Sequence, residues 1–307
     1  MDIMTDVAPG LHERLIRYAA LRPCLNAFVD SRTPGSDQKE NFCIIGPGVS
    51  ENPSQHVHMA EPHGFNIGGA RQTPGCMNSQ HSHETAEIFV VHSGNWRFDF
   101  GENGGDAQVF VAPGDVISLP MHAFRGFTNV GGDSGFLWSL LGGDDPGRVL
   151  WAPQVFDLAT HHGLILLKTG QLVDTIAGEI APAGIPPMPR TTSCDIARLR
   201  RIAPSEAEAM VFRGAVDRSA GELPVIGPAA LLHADEVRLV RLRLTSNLDR
   251  LDRPGTPEVL FVHEGLVTVA RGDDELTLRP GDTLSVPAGP AYRLTAASAT
   301  LFAASRA

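Results

Sequence analysis

Hydrophobic and polar residues alternate with a period of two along most of the chain, and turn residues separate the alternating runs. Such runs predict short β-strands with one buried face. In the first half they cover residues 88–91, 96–100, 108–111, 116–119, 124–129 and 136–141. The 32 glycines and 23 prolines supply the turns between them, and a Pro-Gly-Asp turn divides the segment 107–120. The pattern is typical of a small β-barrel.

The two halves of the chain repeat each other. Residues 87–94 align with 258–265: each segment begins with glutamate, ends with glycine and has histidine two residues before that glycine. Residues 110–120 align with 277–287, and both segments contain Pro-Gly-Asp. We therefore predict a single β-unit that has been duplicated.

Composition and charge limit the classes of partner. The 25 basic and 35 acidic side chains give a formal net charge of −10, which would repel the phosphates of nucleic acid and of an anionic membrane. The four cysteines form no Cys-x-x-Cys pair, so a zinc ribbon or a thioredoxin-like site is not indicated. Neither a signal peptide nor an apolar run of about 20 residues is recognisable. We expect a cytoplasmic protein that binds a small molecule.

The strongest candidate chemistry lies in residues 75–94. This segment reads Gly-x5-His-x-His-x3-Glu-x6-Gly, which gives His81, His83 and Glu87 the same parity. On one β-strand their side chains would point to one face. Two imidazoles and one carboxylate are the ligands of the facial triad in non-haem Fe(II) oxygenases. The spacing predicts a metal site; the alternative is a polar barrel mouth that has lost its metal.

These segments resemble a known family. Residues 75–94 resemble the first cupin motif, and residues 114–129 resemble part of the second. The whole chain is similar to a bicupin, with the two repeats covering about residues 60–145 and 225–305. The resemblance implies an all-β fold of tandem double-stranded β-helix barrels, and in many members a divalent metal inside the barrel. It also implies a homo-oligomer formed through edge strands and N-terminal segments.

The second motif departs from the family pattern at two positions. Arg125 stands where a fourth ligand histidine is usual, and a guanidinium has no lone pair to offer a metal. His122 stands where glycine is usual, and it is either a displaced fourth ligand or a surface residue in a turn. Arg125 either binds a substrate oxygen, with Arg125 or His122 handling a proton, or pairs with Glu87 and replaces the charge of the metal.

The second repeat departs further from the motif. By spacing, the two histidines are replaced by Asp252 and Pro254. The arginine is replaced by Tyr292, and only the acid is retained, as Glu258. One carboxylate cannot hold a divalent ion tightly, so this repeat is expected to be metal-free and to have a structural role.

Few helices are expected. They are predicted at residues 11–21, 154–162 and 205–211. Four prolines between positions 182 and 189 predict an extended linker. The expected organisation is an N-terminal helix and extended arm (1–60), a metal-binding barrel (61–180), a Pro-rich linker (181–200) and a degenerate barrel (201–307).

Three functions are compatible with these residues. The first is an oxidoreductase, a non-haem Fe(II) dioxygenase for a small aromatic or enolic compound. It is suggested by a resemblance to quercetin and gentisate dioxygenases, although residues 120–129 match neither group closely. The second is a non-redox isomerase, decarboxylase or lyase with Mn, Zn or Ni in the same site. The third is a small-molecule-binding protein without catalysis.

Overall fold

The computed structural model describes residues 10–217, 219–251 and 255–307. Its regular structure is mostly β-strand, and all six strands predicted in the first half are present, with small shifts at their ends. No helix among the described residues has the length and apolar character needed to span a membrane. The predicted all-β fold class is confirmed.

The strands and helices are numbered in chain order. Strands of the first part are β1 (Leu15–Ile16), β2 (Lys39–Ile45), β3 (Val57–Met59), β4 (Phe65–Gln72), β5 (Met77–His83), β6 (Glu87–Ser93), β7 (Trp96–Phe100), β8 (Ala107–Val111), β9 (Val116–Leu119), β10 (Arg125–Asn129), β11 (Gly135–Gly142), β12 (Val149–Trp151), β13 (Leu164–Leu166), β14 (Leu172–Asp174) and β15 (Val211–Phe212). The remaining strands are β16 (Gly221–Ile226), β17 (Val237–Leu244), β18 (Leu248–Arg250), β19 (Glu258–Gly265), β20 (Val267–Arg271), β21 (Asp274–Leu278), β22 (Thr283–Val286), β23 (Tyr292–Thr295) and β24 (Ala299–Arg306). The α-helices are α1 (Pro153–His161), α2 (Ser193–Ile196) and α3 (Pro204–Ala209).

Contacts divide the chain into two compact units. One, called here the N-terminal barrel unit, consists of Arg22–Asp217 and Leu231–Glu236. The other, the C-terminal barrel unit, contains the described residues of Met1–Leu21, Arg218–Ala230 and Val237–Ala307. Residues 181–200, expected to link two domains, therefore lie within the N-terminal barrel unit, and residues 10–21 lie with the second repeat.

Two sheets form the N-terminal barrel. The larger has the strand order β15-β9-β6-β11-β4-β2-β3 and the smaller has the order β12-β5-β10-β7-β8. All pairs within them are antiparallel except β2 with β3. The side chains between the sheets are aliphatic and aromatic, and the aromatic rings meet at Phe89, Trp96, Phe98 and Phe127. This packing confirms that the alternating residues of β7 belong to the core.

The C-terminal barrel repeats this arrangement with a different filling. Its sheets have the orders β1-β22-β19-β24-β17-β16 and β18-β23-β20-β21. The repeat is visible in the register, since Glu87 lies opposite Leu119 and Glu258 lies opposite Val286. Leucine, valine and alanine dominate the interior of this barrel, where the N-terminal barrel uses aromatic rings.

Both Pro-Gly-Asp turns adopt the same structure. Gly114 and Gly281 have φ angles of 91° and 87°, a region that side chains rarely tolerate and glycine adopts readily. The aspartate after each glycine accepts a backbone hydrogen bond from the residue three positions earlier. Backbone hydrogen bonds also join the first turn to Val91 in β6 and the second turn to Val262 in β19. The sequence repeat therefore reflects a repeated strand–turn unit.

The predicted helix over residues 11–21 is wrong. Two short 3-10 turns, Leu11–Arg14 and Tyr18–Ala20, flank β1, which pairs with β22. Pairing of Leu15 with Leu284 extends the sheet and satisfies backbone groups that a helix would have satisfied internally. The helices predicted at 154–162 and 205–211 are confirmed as α1 and α3.

Candidate metal centre

The three predicted ligands converge in the N-terminal barrel. His81 and His83 lie at the end of β5, and Glu87 begins β6 after a three-residue turn. One donor atom from each residue lies within 4.8 Å of the others, and all three side chains are buried. The sequence predicted that all three residues lie on one strand, whereas β5 and β6 belong to different sheets. The turn between these strands brings Glu87 to the two histidines.

Both histidines are poised to act as neutral donors. His81 donates its Nδ1 hydrogen to the carbonyl oxygen of Ser79 at 2.7 Å, which leaves Nε2 with a lone pair. His83 Nδ1 is buried without a hydrogen-bond partner among the described residues. Burial, followed by the positive charge of Arg125, lowers the pKa of each imidazole well below its usual value. Neutral imidazole is the form that binds metals.

Arg125 is the closest cation to this cluster. Its side chain is 1% exposed, and its Nη2 donates to Glu87 Oε2 at 3.0 Å. Burial raises the pKa of Glu87, and Arg125 partly opposes this by favouring the carboxylate. Of the two sequence-based interpretations, the contact with Glu87 is the one the structure contains. Arg125 contacts Glu87 but is not among the described side chains that line the adjacent cavity.

The strand register explains why Arg125 reaches this position. On adjacent antiparallel strands, Arg125 lies opposite His81, and Trp151 lies opposite His81 on the other side. Cross-strand partners share a face of the sheet, so all three side chains point into the barrel. The Trp151 ring lies 5.3 Å from the His81 ring, measured between centroids.

The donor set suits a divalent cation. Two neutral imidazoles and one carboxylate match the ligands that Fe, Mn, Zn and Ni accept in proteins. His83 Nε2 lies 3.5 Å from Glu87 Oε2, so this nitrogen faces the acid of the cluster. Glu87 can bind a cation through lone pairs that Arg125 does not use, because a carboxylate has about four acceptor positions. His81, His83 and Glu87 therefore can hold such an ion.

A partly enclosed cavity of about 70 Å³ lies against the cluster. It has room for roughly five water molecules and is about half the volume of the ~150 Å³ cavity known to bind benzene. Its aromatic walls are Phe28, Phe89, Phe127 and Trp151, and the three candidate ligands form part of its surface. A more open cleft of about 570 Å³ lies beyond residues 48–50 and Val149, which line both spaces. The cavity and the cleft therefore adjoin along these residues.

Two buried acids behind the cavity were not found by sequence reasoning. Glu51 accepts hydrogen bonds from Trp151 Nε1 at 2.7 Å and from the Val29 amide at 2.6 Å. Asp30 pairs with the fully buried Lys39 and accepts a bond from the amide of Ser79, the residue whose carbonyl accepts from His81. These residues lie outside both motifs. The only signal for Asp30 is that charged residues stand among apolar ones in 27–45, and no sequence signal marks Glu51.

His122 does not join the cluster. It is exposed, in a turn with φ at 58°, and its backbone amide donates to the His83 carbonyl. The backbone lies beside the site while the imidazole faces outward. The expected fourth ligand is therefore not supplied by His122, and its alternative assignment as an exposed turn residue is the correct one.

The acid of the second repeat has different partners. Glu258 accepts from Arg250 Nη2 at 2.5 Å and from the Tyr292 hydroxyl. Tyr292 lies opposite Arg250, as Arg125 lies opposite His81, so the arginine of this barrel occupies the strand position of the histidine. Asp252 and Pro254, the counterparts proposed from spacing, lie outside the described residues.

Comparisons with known proteins identify the fold. No protein-family model matches the chain, and no curated protein matches it. Among solved structures, a nickel(II) complex of the bacterial pirin YhhW from Escherichia coli is 11% identical, covers 95% of this chain and 98% of its own, and has a TM-score of 0.53. Oxalate decarboxylase from Lactobacillus farciminis, in a formate complex, is 10% identical, with 97% and 86% coverage and a TM-score of 0.57. Vicilin from Capsicum annuum is 15% identical, with 95% and 85% coverage and a TM-score of 0.54.

Similarity at these identities concerns the architecture of the chain. It extends over both repeats, and it agrees with the duplicated strand–turn unit. The chain therefore has the bicupin fold, two cupin barrels in tandem.

Proposed function

We propose that this protein is a metal-dependent oxidoreductase, a non-haem Fe(II) dioxygenase that acts on a small aromatic or enolic compound. The observation that carries the proposal is the convergence of His81, His83 and Glu87 within 4.8 Å at the wall of a small cavity. A facial set of two histidines and one carboxylate with open positions is characteristic of such enzymes. The replacement of the fourth histidine by Arg125 supports it, because one more position stays open for substrate or O₂.

Each residue of the site has a distinct role in the proposal. His81, His83 and Glu87 hold the ion, which when bound supplies a Lewis acid for a substrate oxygen and, as Fe(II), electrons for O₂. Ser79 fixes the tautomer of His81, and a partner of this kind commonly orients a ligating imidazole. Arg125 holds the Glu87 carboxylate in its ionised form and in one orientation. His122 has no part in the proposal, because its imidazole is exposed.

The cavity limits the substrate to a small molecule. Its volume of about 70 Å³ and its aromatic walls favour a flat compound no larger than about one six-membered ring. Residues 48–50 line both the cavity and the outer cleft, so the substrate would enter from the side of the cleft.

Two alternatives each have one observation in their favour. A metal-dependent decarboxylation is favoured by the structural similarity to oxalate decarboxylase, whose name describes a decarboxylation. A binding protein without a metal is favoured by the Arg125–Glu87 pair, which neutralises the acid of the cluster without any cation. The first alternative differs from the proposal in its need for O₂, and the second differs in metal content.

We also propose a homo-oligomer. Strand β8 is at the edge of its sheet, and Phe110 on it is 56% exposed, which is unusual for a large apolar side chain. Multi-angle light scattering of the wild-type protein and of Phe110→Lys would test this. A monomeric wild-type protein would contradict it.

The test of the main proposal is a metal analysis followed by turnover with and without O₂. Protein purified without added metal is analysed for bound elements, and crystals are examined at the Fe, Mn, Ni and Zn absorption edges. The Fe(II)-loaded protein is then incubated with small catechols and enols, and O₂ uptake is followed. We expect one metal ion per chain, absent from His83→Ala, and O₂ consumption with at least one compound.

Different results would support different functions. Turnover that is equal in the absence of O₂ would overturn the dioxygenase proposal in favour of a non-redox reaction. Substoichiometric metal that is not raised by added Fe(II) or Mn(II), with water between the three side chains, would favour the binding protein.

A further inference from the structure

A second polar group in the cavity has no partner. Asn41 on β2 is 8% exposed, and its side chain lines the cavity. Its Nδ2 atom has no hydrogen-bond partner among the described residues of the chain. Leaving a buried donor unsatisfied costs about 1–3 kcal/mol, so natural structures retain such groups rarely and commonly for a ligand.

Asn66 provides the contrast within the same cavity. It is also a buried asparagine of the cavity wall, but its Oδ1 accepts from the Gly48 amide at 2.9 Å and its Nδ2 donates to the Gly143 carbonyl at 2.8 Å. Asn66 therefore has a structural role that accounts for its burial. Asn41 makes no comparable side-chain bond, and its contribution to the fold is limited to its backbone.

Gln55 adds an unpartnered acceptor to the same wall. Its Oε1 atom is buried and has no hydrogen-bond partner among the described residues. A donor at Asn41 and an acceptor at Gln55 match a hydroxyl group, which can both accept and donate. They do not match an apolar ligand, which would leave both atoms unsatisfied.

The charges of the wall disfavour a strongly ionic ligand in the metal-free protein. Glu87 is the only described lining residue with a formal charge, and it is already paired with Arg125. No lysine or arginine is found among the described lining residues, so a second carboxylate on a ligand would be buried without a counter-ion.

We propose that the cavity selects a small, uncharged hydroxyl compound, an alcohol or a phenol, whose oxygen accepts a hydrogen bond from Asn41 Nδ2. Gln55 Oε1 is the second contact, which accepts the hydroxyl hydrogen. The inference deepens the proposed function, since it defines the substrate class for the same cavity. Asn41 is on a different strand from the three candidate metal ligands, so its role can be tested in metal-free protein.

The test compares phenol with toluene, which have the same shape and the same number of non-hydrogen atoms. Binding to chelator-treated full-length protein is measured by NMR titration for the wild type, Asn41→Leu and Gln55→Leu. We expect Asn41→Leu to weaken phenol binding roughly tenfold and to leave toluene binding unchanged or stronger. Gln55→Leu should act in the same direction with a smaller effect.

Thermal stability separates a ligand contact from a structural role. Because leucine has the same branching and the same number of side-chain heavy atoms as asparagine and removes an unsatisfied donor, Asn41→Leu should keep or raise the Tm. The matched change Asn66→Leu breaks three hydrogen bonds and should lower it. Equal loss of phenol and toluene binding in both Asn41→Leu and Gln55→Leu, or no loss of phenol binding in either, would overturn the inference.

The outcomes are independent of the metal. A protein without metal that still shows the phenol-specific loss would refute the dioxygenase proposal and retain the role of Asn41. A metal-loaded protein in which neither substitution distinguishes phenol from toluene would retain the dioxygenase proposal and refute the role of Asn41.

Discussion

Arg125 and Glu87 belong to different sheets of the N-terminal barrel and are joined by a hydrogen bond of 3.0 Å between Nη2 and Oε2. This contact occurs where the second cupin motif usually supplies a fourth histidine. The C-terminal barrel has a comparable pair, Arg250 with Glu258, although its arginine lies on the strand that corresponds to β5. Each barrel therefore has a buried arginine bound to the acid that begins the repeated strand. In the N-terminal barrel the two neutral histidines remain beside the pair.

Replacement of Arg125 by methionine should destabilise the metal-free protein by about 3 kcal/mol, because Glu87 would be buried without a partner. It should also strengthen binding of a divalent ion. Charges about 5 Å apart interact by roughly 3 kcal/mol per unit charge at an effective dielectric constant of about 20. That repulsion exceeds the ~1–3 kcal/mol that a supporting hydrogen bond contributes to metal affinity. Thermal unfolding with and without Mn(II) measures both effects.

The control for this change is Arg97→Met. Arg97 forms an ion pair with Asp99 at 2.9 Å but is partly exposed, so its loss should cost less than about 1 kcal/mol and leave the Mn(II) effect unchanged. A smaller rise of the Tm with Mn(II) in Arg125→Met than in the wild type would mean that Arg125 mainly supports the ligand.

Replacement of His83 by alanine should abolish metal binding with little loss of stability, about 1–2 kcal/mol, because the removed ring carries an unsatisfied buried nitrogen. Glu258→Ala should do the opposite. It leaves the metal content unchanged but lowers stability by about 3–5 kcal/mol, since Arg250 loses its buried partner. Elemental analysis after dialysis and urea unfolding measure the two effects. Equal metal content in His83→Ala and the wild type would contradict the assignment.

The sequence was sufficient to predict much of this architecture. The period-two pattern and the repeated Pro-Gly-Asp turns are local signals, so the strands and the duplication could be recognised from them. The convergence of His81, His83 and Glu87 was also predicted, although by a different geometry. The parity argument assumed one strand, whereas the turn after His83 carries Glu87 into the other sheet.

Other features depend on contacts between distant residues. The segment that begins at Leu11 had helical spacing, but pairing of Leu15 with Leu284 competed with the helix across more than 260 positions. The fold brings Glu51 into contact with Trp151, and it places Asn41 in the wall of the cavity. Neither Glu51 nor Asn41 is part of a motif. The choice between the two roles of Arg125 also required coordinates, because sequence spacing does not report which acid a guanidinium meets.

Trp151 should report metal binding directly. Its ring lies 5.3 Å from that of His81, so a paramagnetic ion such as Co(II) or Ni(II) held by His81 should quench its fluorescence. The chain has three tryptophans, so the assignment needs substitutions. Trp151→Phe should remove most of the metal-dependent quenching, and Trp138→Phe should retain it. Quenching of equal depth in Trp151→Phe and the wild type would place the bound ion elsewhere.

Glu51 should make the stability of the N-terminal barrel depend on pH in an unusual direction. Burial raises its pKa from 4.5 to about 8, against the hydrogen bonds from Trp151 and Val29 and the charge of Lys39, which lower it. The folded protein therefore keeps a proton that the unfolded chain releases. Stability from this proton is complete below the unfolded pKa, decreases as the pH rises, and is lost above about 8.

The pH dependence of stability that Glu51 causes can be separated from that of other titratable groups. The lowered pKa values of His81 and His83 make stability rise with pH, but only below about 6.5, where the unfolded imidazoles are protonated. Between about pH 7 and about pH 8, Glu51 should therefore dominate, and the free energy of unfolding should fall by roughly 1.4 kcal/mol per pH unit. Urea unfolding of metal-free protein across this interval measures the slope.

Glu51→Gln should remove this slope, because glutamine does not titrate. It should also lower stability by about 1–3 kcal/mol at pH values near 5, since an amide group cannot accept from both Trp151 and Val29. Glu40→Gln is the matched control, because Glu40 is a partly exposed acid on β2 that pairs with Arg71. The control should retain the slope of the wild type. An unchanged slope in Glu51→Gln would show that Glu51 is already ionised at neutral pH, with the Trp151 and Val29 hydrogen bonds offsetting its burial.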